Sequence, residues 1–312
     1  MISSFFSKTK PIHYILVLTV LFLLYFGINF FWVERQEDTN FIVSRFIIVA
    51  FLLFSIFIVN FVAKRNKLTG TNSFAILFYV LLTFVFPDTL LDSNAIFCSL
   101  FLLMATRRIV SLKSLKETSY KLFDASLWIA VASLFYDWAL IYFILVFIAI
   151  YFYVPKNPRN WVIPIVAAIT FVLIGYAILL LTNKSNFINT HYVFEFNITK
   201  IDLMAWETNV KLFVYFLIVS FCGIWGFVKL GKTGVGRIIT LRLIAISFFL
   251  GILLSLLKHD FNTFPIMVSF FPASVFMTNY IESLKKVRTK EIVLILAILV
   301  PVGVFIWQTT LL

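Results

Sequence analysis

Residues 125–154 read ASLWIAVASLFYDWALIYFILVFIAIYFYV, an apolar stretch in which Asp137 is the single charged residue. One helix of this length would be about 45 Å long, well beyond the ~30 Å hydrocarbon core of a bilayer. Charge decides between one span and two. With one span, the basic segment 229–237 would fall on the outer side of the membrane. Two spans that turn near residues 136–138 keep every basic loop on one side, as the positive-inside rule requires.

The composition is that of a membrane protein. The chain is 62% hydrophobic and 13% charged, with a mean hydropathy of +1.03, whereas a soluble domain is nearer half apolar and a quarter charged. The net charge of +12 would also suit nucleic acid, but no basic and aromatic face exists outside the apolar runs. The sequence therefore predicts an all-α polytopic protein with one transmembrane domain over residues 1–312. Membrane lipids are its expected partners, and nucleic acid is excluded.

Basic and acidic gaps alternate along the chain. Most of the 26 Lys and Arg residues lie in six short segments, and most of the 14 carboxylates lie in the gaps between them. Cytoplasmic loops carry the excess of Lys and Arg. We therefore predict eleven transmembrane helices in a bacterial inner membrane, with the N-terminus cytoplasmic and the C-terminus extracytoplasmic. The basic segments are 8–10, 64–67, 107–121, 156–159, 229–237 and 285–290.

Two segments outside the predicted spans are longer than the rest. Residues 106–124 alternate basic and apolar side chains, which predicts a cytoplasmic amphipathic helix on the membrane surface. Residues 182–210 form the longest predicted extracytoplasmic loop. Two alternatives stay open for the helix pairs 73–106 and 125–154, and both keep the basic loops on the same side. Each pair either spans the membrane fully or is re-entrant.

Acidic residues collect at the predicted outer face, and Asp137 differs from the others. Most of these acids have an ordinary explanation as solvated loop residues. Asp137 interrupts an apolar stretch, where an ionisable residue by default marks a functional site or a buried pair. Asp88 follows Pro87 in a turn and is the second candidate. Arg45 lies one turn inside the second span, where it could either pair with a carboxylate or snorkel to the surface.

Short motifs carry a resemblance to a known family. Residues 123–125 (FDA), 132–136 (ASLFY), 138–140 (WAL) and 159–161 (RNW) resemble an uncharacterised polytopic inner-membrane protein family of Bacteroidota. The layout is also similar to GT-C-type glycosyltransferases, which take sugars from polyprenyl-phosphate carriers at the outer face. Those enzymes have an inside N-terminus and a catalytic acid in the first outer loop.

The GT-C resemblance implies roles for particular residues. The acids of the first outer loop, Glu34, Glu37 and Asp38, match the position of the catalytic base, which would deprotonate an acceptor hydroxyl. This loop is only about eight residues long, whereas GT-C enzymes usually carry a long first loop with an interfacial helix. The remaining predicted pocket residues line the site or bind the lipid phosphate: Asp88, Asp137, Asp260, Arg45 and Lys258.

Three function classes remain open at this stage. The lead hypothesis is a GT-C-like glycosyltransferase, or a relative of one, with a polyprenyl-phosphate-linked sugar as donor. No metal-binding cluster is visible in the sequence, and a divalent cation beside the donor stays open. The rival is a non-catalytic membrane scaffold subunit of an envelope assembly or export complex, with other envelope membrane proteins as partners. The third class is a small-solute transporter.

Overall fold

The protein is a bundle of helices. The computed structural model describes residues 2–31, 39–184, 186–194, 206–230, 235–258 and 263–311, and these ranges contain no β-strand. The helices are α1 (Ile2–Phe6), α2 (Pro11–Phe31), α3 (Thr39–Arg65), α4 (Phe74–Val85), α5 (Ser93–Ser111), α6 (Thr118–Ala132), α7 (Phe143–Tyr153), α8 (Pro158–Leu181), α9 (Phe187–His191), α10 (Trp206–Leu230), α11 (Val235–Leu257), α12 (Phe270–Ser283) and α13 (Val287–Leu311).

Seven of the described helices are long and apolar enough to cross a membrane. These are α2, α3, α5, α8, α10, α11 and α13, with apolar stretches of 19 to 24 residues. A span needs about 20 apolar residues. The chain is therefore a helical protein with the character of a membrane-embedded one.

Four predicted spans correspond to shorter helices, and 3-10 helices lie next to three of them. Helices α4, α6, α7 and α12 have 12, 15, 11 and 14 residues. The 3-10 helix Pro87–Leu90 follows α4, Asp137–Tyr142 precedes α7, and Pro265–Ser269 precedes α12. The predicted breaks at Pro87 and near Asp137 are thus confirmed.

Each of these 3-10 helices follows an aromatic residue whose backbone is not helical. The φ angles of Phe86, Tyr136 and Phe264 are −123°, −135° and −130°. Proline occupies the first position of two of the 3-10 helices, where its missing N–H costs no hydrogen bond. The chain therefore reverses direction in three places with the same local structure, an aromatic residue followed by a 3-10 helix.

The predicted amphipathic helix over residues 106–124 is wrong as a separate element. Its first part completes α5, and its last part begins α6. Leu115 and Glu117 have φ angles of 54° and 51°, a left-handed conformation that no continuous helix accommodates. The Lys121 ammonium donates hydrogen bonds to the Ser111 carbonyl (3.0 Å) and to Ser114 Oγ (2.6 Å). These bonds satisfy acceptors at the end of α5 and stabilise the turn.

Hydrogen bonds gather the basic segments at one end of the bundle, which we call the basic end. The backbone N–H groups of Ile2 and Ser3 donate to the Glu291 carboxylate at 3.1 Å. Gly70 N–H donates to Glu282 Oε1 at 2.7 Å. The N-terminus, the α3–α4 loop and the loop between α12 and α13 therefore meet at the same end.

The other chain reversals meet at the opposite end, which we call the acidic end. There the Asn29 amide of α2 donates to the Leu90 carbonyl at 3.3 Å. Segment 186–194 packs on the loop after α6, with His191 Nε2 at 2.8 Å from the Ser133 carbonyl. The contacts thus divide the described loops between the two ends in the same way as the charge pattern does.

The core is centred on α5. This helix packs against α3, α6 and the 3-10 helix Pro265–Ser269. Helices α8 and α13 lie at the periphery, with only 11% of their apolar stretches buried. The functional candidates at the acidic end therefore sit on the well-packed centre of the bundle and not on its outer helices.

Candidate functional site

Asp92 joins three chain reversals at the acidic end. It caps α5, where its Oδ1 accepts a hydrogen bond from Ala95 N–H at 3.2 Å. Its Oδ2 accepts from Phe264 N–H at 2.7 Å and from the Tyr136 hydroxyl. The residue is only 8% exposed, and a buried carboxylate of this kind needs such donors. One side chain therefore fixes the relative positions of the 3-10 helices that begin at Pro87, Asp137 and Pro265.

Asp137 lies beside this junction as the first residue of the 3-10 helix Asp137–Tyr142. Its side chain is 1% exposed, and its Oδ1 is 3.3 Å from the Lys258 ammonium. Within the described ranges, neither carboxylate oxygen accepts a hydrogen bond, so the lysine supplies a charge contact without hydrogen-bond geometry. Buried carboxylates are ordinarily hydrogen-bonded as well as paired. Asp137 therefore retains unused acceptor capacity.

Lys258 differs from its partner in exposure. It follows the last residue of α11, and its side chain is 26% exposed. The pair consequently joins a buried anion to a partly exposed cation. A partly exposed ammonium can contact a second anion while it stays close to the Asp137 carboxylate.

Segment 186–194 covers the helix break that carries Asp137. A carbonyl oxygen can only accept, so His191 Nε2 donates its proton to the Ser133 carbonyl. The Tyr192 hydroxyl is 3.0 Å from Ser133 Oγ. The ring of Phe194 meets the Trp138 ring edge to face, with centroids 5.2 Å apart. This described part of the predicted outer loop thus packs over the 133–138 turn.

Asp88 belongs to a second polar group on the other side of Asp92. It is half-buried in the 3-10 helix Pro87–Leu90. Burial raises the pKa of the Asp88 carboxyl above its ordinary value, and the positive charge of Lys211 at the start of α10 opposes the rise. No hydrogen bond or ion pair between described residues links Asp88 to Asp137.

Arg45 lies near this second group. Its guanidinium is close enough to act on the hydroxyl of Tyr25, which is fully buried in α2. One turn further along α2, the Asn29 amide bonds to the Leu90 carbonyl. Arg45 is thus near a buried hydroxyl at the acidic end.

The predicted catalytic acids cannot be placed relative to these groups. Glu34, Glu37 and Asp38 lie outside the described residues, between α2 and α3, and Asp260 lies outside them after α11. Of the predicted pocket residues, the structure brings together Asp137 and Lys258. Asp88 and Arg45 also lie at the acidic end.

The sequence did not single out Asp92, Tyr136 or Ser133 as site residues. Asp92 was recognisable as a turn residue, because it precedes a Ser-Asn pair and an apolar run. Its role depends on Phe264, which is 172 residues away. A local pattern carries no signal for such a contact.

No group of three or more His, Cys, Asp or Glu side chains that could hold a metal ion occurs within the described ranges. Comparisons of the chain with family models, with curated proteins and with solved structures find no match.

Proposed function

We propose that this chain is an inner-membrane protein with eleven spans, a cytoplasmic N-terminus and an extracytoplasmic C-terminus. The basic end would then face the cytoplasm, in keeping with the positive-inside rule. The seven long helices and the four shorter ones, α4, α6, α7 and α12, together account for the eleven passes. The contacts that separate a basic from an acidic end support this arrangement.

The proposed activity is GT-C-like glycosyl transfer from a polyprenyl-phosphate-linked sugar at the acidic end. Asp38, Glu37 or Glu34 would act as the general base toward an acceptor hydroxyl. Lys258, with Arg45, would contact the lipid phosphate, and Asp137, Asp88 and Asp260 would line the pocket. The observation that carries the proposal is the Asp137–Lys258 pair, in which a buried acid holds a partly exposed ammonium at 3.3 Å.

The Lys258 ammonium suits a phosphate ligand for electrostatic reasons. Charge-assisted hydrogen bonds to phosphate are roughly twice as strong as neutral ones. Asp137 uses none of its acceptor capacity for hydrogen bonds among the described residues, so its main interaction is the charge of Lys258. Removing the acid should therefore leave the lysine available to the phosphate, whereas removing the lysine should abolish the contact.

The first test measures the binding of a polyprenyl phosphate to the purified full chain in nanodiscs. Lys258→Gln should weaken binding about tenfold, as expected for the loss of one charged hydrogen bond. Asp137→Asn should retain or strengthen binding, because the Asp137 carboxylate no longer competes with the phosphate for the ammonium. Lys184→Gln, an exposed lysine after α8, is the control and should bind like the unmodified protein.

The outcomes separate a binding site from a structural pair. If Asp137→Asn and Lys258→Gln weaken binding equally and lower thermal stability together, the pair is structural. The transferase role itself is tested by Glu34→Gln, Glu37→Gln and Asp38→Asn. Sugar transfer that survives in all three variants would remove the proposed bases and with them the enzyme hypothesis.

A non-catalytic scaffold is the second candidate, and one observation favours it. Helices α8 and α13 expose nearly all of their apolar stretches. Such faces must contact either lipid or the helices of other membrane proteins. A scaffold would retain its cellular phenotype after every acidic substitution and lose it after polar substitutions on these faces.

A further inference from the structure

A groove at the basic end has the form of a site for an amphipathic ligand. It opens between the start of α2 and the second half of α3, with a volume of about 510 Å³. Ligand sites typically measure about 300–1,000 Å³. Tyr14, Ile15, Leu18 and Phe57 form its apolar walls, and Thr9 and Lys10 lie at its mouth. The groove therefore has a polar head and an apolar body.

The apolar wall follows one stripe of α2. Ile15 and Leu18 are three residues apart, so their side chains lie on the same face of the helix. Ile15 is 60% exposed, which places this stripe on the outside of the bundle. In a membrane-embedded chain, that surface is the one that contacts acyl chains.

The opposite wall is held in place by side-chain contacts. The rings of Tyr14 and Phe57 are stacked, with centroids 5.8 Å apart and planes 9° from parallel. The Tyr14 hydroxyl accepts a hydrogen bond from the Asn60 amide. These contacts join α2 to α3 and preorganise the groove, which reduces the entropic cost of binding.

Two lysines supply positive charge at the mouth. Lys10 is exposed at the mouth itself, and the Lys64 ammonium donates a hydrogen bond to Thr9 Oγ1. Both lysines are close enough to act electrostatically on His13, so their charges lie in one small region. Among the described residues, neither lysine forms an ion pair with a carboxylate. The mouth therefore combines two cations, which are good ligands for a phosphate group.

We propose that this groove binds one anionic phospholipid from the leaflet next to the basic end. The phosphate would lie between Lys10 and Lys64, and an acyl chain would follow Ile15 and Leu18. Basic residues at a membrane surface favour anionic lipids by about fivefold each. The site is at the opposite end of the bundle from the Asp137–Lys258 pair and does not depend on the proposed transferase activity.

The test uses native mass spectrometry of the purified full chain in detergent, titrated with phosphatidylglycerol or with phosphatidylcholine. Phosphatidylglycerol should bind more tightly than phosphatidylcholine. The Lys10→Gln/Lys64→Gln variant should lose this preference, with a decrease in phosphatidylglycerol affinity of roughly 30-fold if the two charges act independently. The matched control is Lys285→Gln/Lys286→Gln, which removes two exposed charges at the same end and should leave the affinity unchanged.

A second variant tests the apolar body without changing charge. Ile15→Trp should fill the groove and lower the affinity for phosphatidylglycerol severalfold, while thermal stability stays the same because Ile15 is exposed. Equal affinity for the two lipids would overturn the proposal. So would an equal loss in the control pair, or displacement of phosphatidylglycerol by inorganic phosphate alone, since either would show that the groove does not define the site.

Discussion

Two aspartates at the acidic end carry out different tasks, and the difference follows from their partners. Asp92 has three donors, namely two backbone N–H groups and the Tyr136 hydroxyl. Asp137 has a lysine at ion-pair distance and no donor in hydrogen-bond geometry within the described ranges. A fully bonded carboxylate stabilises the fold, whereas one with free acceptor capacity is available for a ligand. Asp92 is therefore the structural acid and Asp137 the functional candidate.

Substitution of Asp92 should destabilise the protein strongly. Asp92→Ala removes a helix cap worth about 1 kcal/mol. It also leaves Phe264 N–H and the Tyr136 hydroxyl unsatisfied, at about 1–3 kcal/mol each. We expect a total loss of roughly 3–7 kcal/mol in the free energy of unfolding, measured by denaturation in detergent.

The control for Asp92 is Asp124→Asn at the basic end. Asp124 forms an ion pair with Arg108 at 2.8 Å, but its side chain is 36% exposed. Exposed pairs contribute at most about 1 kcal/mol. A loss at Asp92 that is no greater than the loss at Asp124 would contradict the structural role of the junction.

The sequence singled out Asp137 as a site residue but not Asp92, and both outcomes have a physical reason. Asp137 is conspicuous because it interrupts an apolar run, and burial of a charge is costly wherever it occurs. Asp92 lies in a turn rich in Asp, Ser and Asn, where an acid is ordinary. Its burial results from the arrival of Phe264 and Tyr136, and this tertiary contact has no counterpart in local sequence.

At the scale of elements, the packing of α11 on the 3-10 helix Pro265–Ser269 requires a small residue. A Cβ at Gly251 would lie 3.1 Å from Ser269 Cβ and 3.2 Å from the Ser269 backbone. Backbone atoms cannot rotate away as a side chain can, so the two elements would have to separate. The third chain reversal is therefore positioned by close contact as well as by the bond from Phe264 to Asp92.

Gly251→Ala should destabilise the protein by about 1–3 kcal/mol, the usual cost of overpacking a tight contact. Gly27→Ala is the matched control, because a Cβ at Gly27 meets no atom within 4 Å. Alanine has the higher helix propensity, so this variant should be neutral or stabilised by up to about 1 kcal/mol. Thermal unfolding of both variants in the same detergent gives the comparison, and equal midpoints would show that α11 and the 3-10 helix are not in close contact.

The sequence predicted all three chain reversals, but it did not predict the 3-10 helix Pro265–Ser269 at the third. Proline and clustered polar residues marked the break at Pro87, and Asp137 marked the second. The third was predicted as a tight turn at residues 258–260, followed by an ordinary span from residue 263; residues 259 and 260 lie outside the described ranges. The non-helical aromatic residue that precedes each 3-10 helix is visible only in backbone angles.

At the scale of the whole molecule, carboxylates hold the basic end together. Glu291 accepts hydrogen bonds from the N–H groups of Ile2 and Ser3, and Glu282 accepts from Gly70 N–H and from the Asn72 amide. These contacts join the first helix to the last and α3–α4 to α12. The few acids at this end thus hold separate helices and loops together, while most of the basic residues are exposed at the surface. This distribution explains why the alternation of charge along the sequence predicted which loops lie at which end. The basic residues that set the predicted orientation in the membrane take no part in core packing.

The central proposal is that the basic end and the acidic end face opposite sides of a membrane. Lys184 and Lys285 are both exposed, one after α8 near the acidic end and the other after α12 at the basic end. Single cysteines at these positions can be labelled in intact cells with a membrane-impermeant maleimide, since the native Cys98 and Cys222 are buried. We expect Lys184→Cys to be labelled in intact cells and Lys285→Cys to be labelled only after the membrane is opened. Labelling of both positions in intact cells, or of neither, would contradict it.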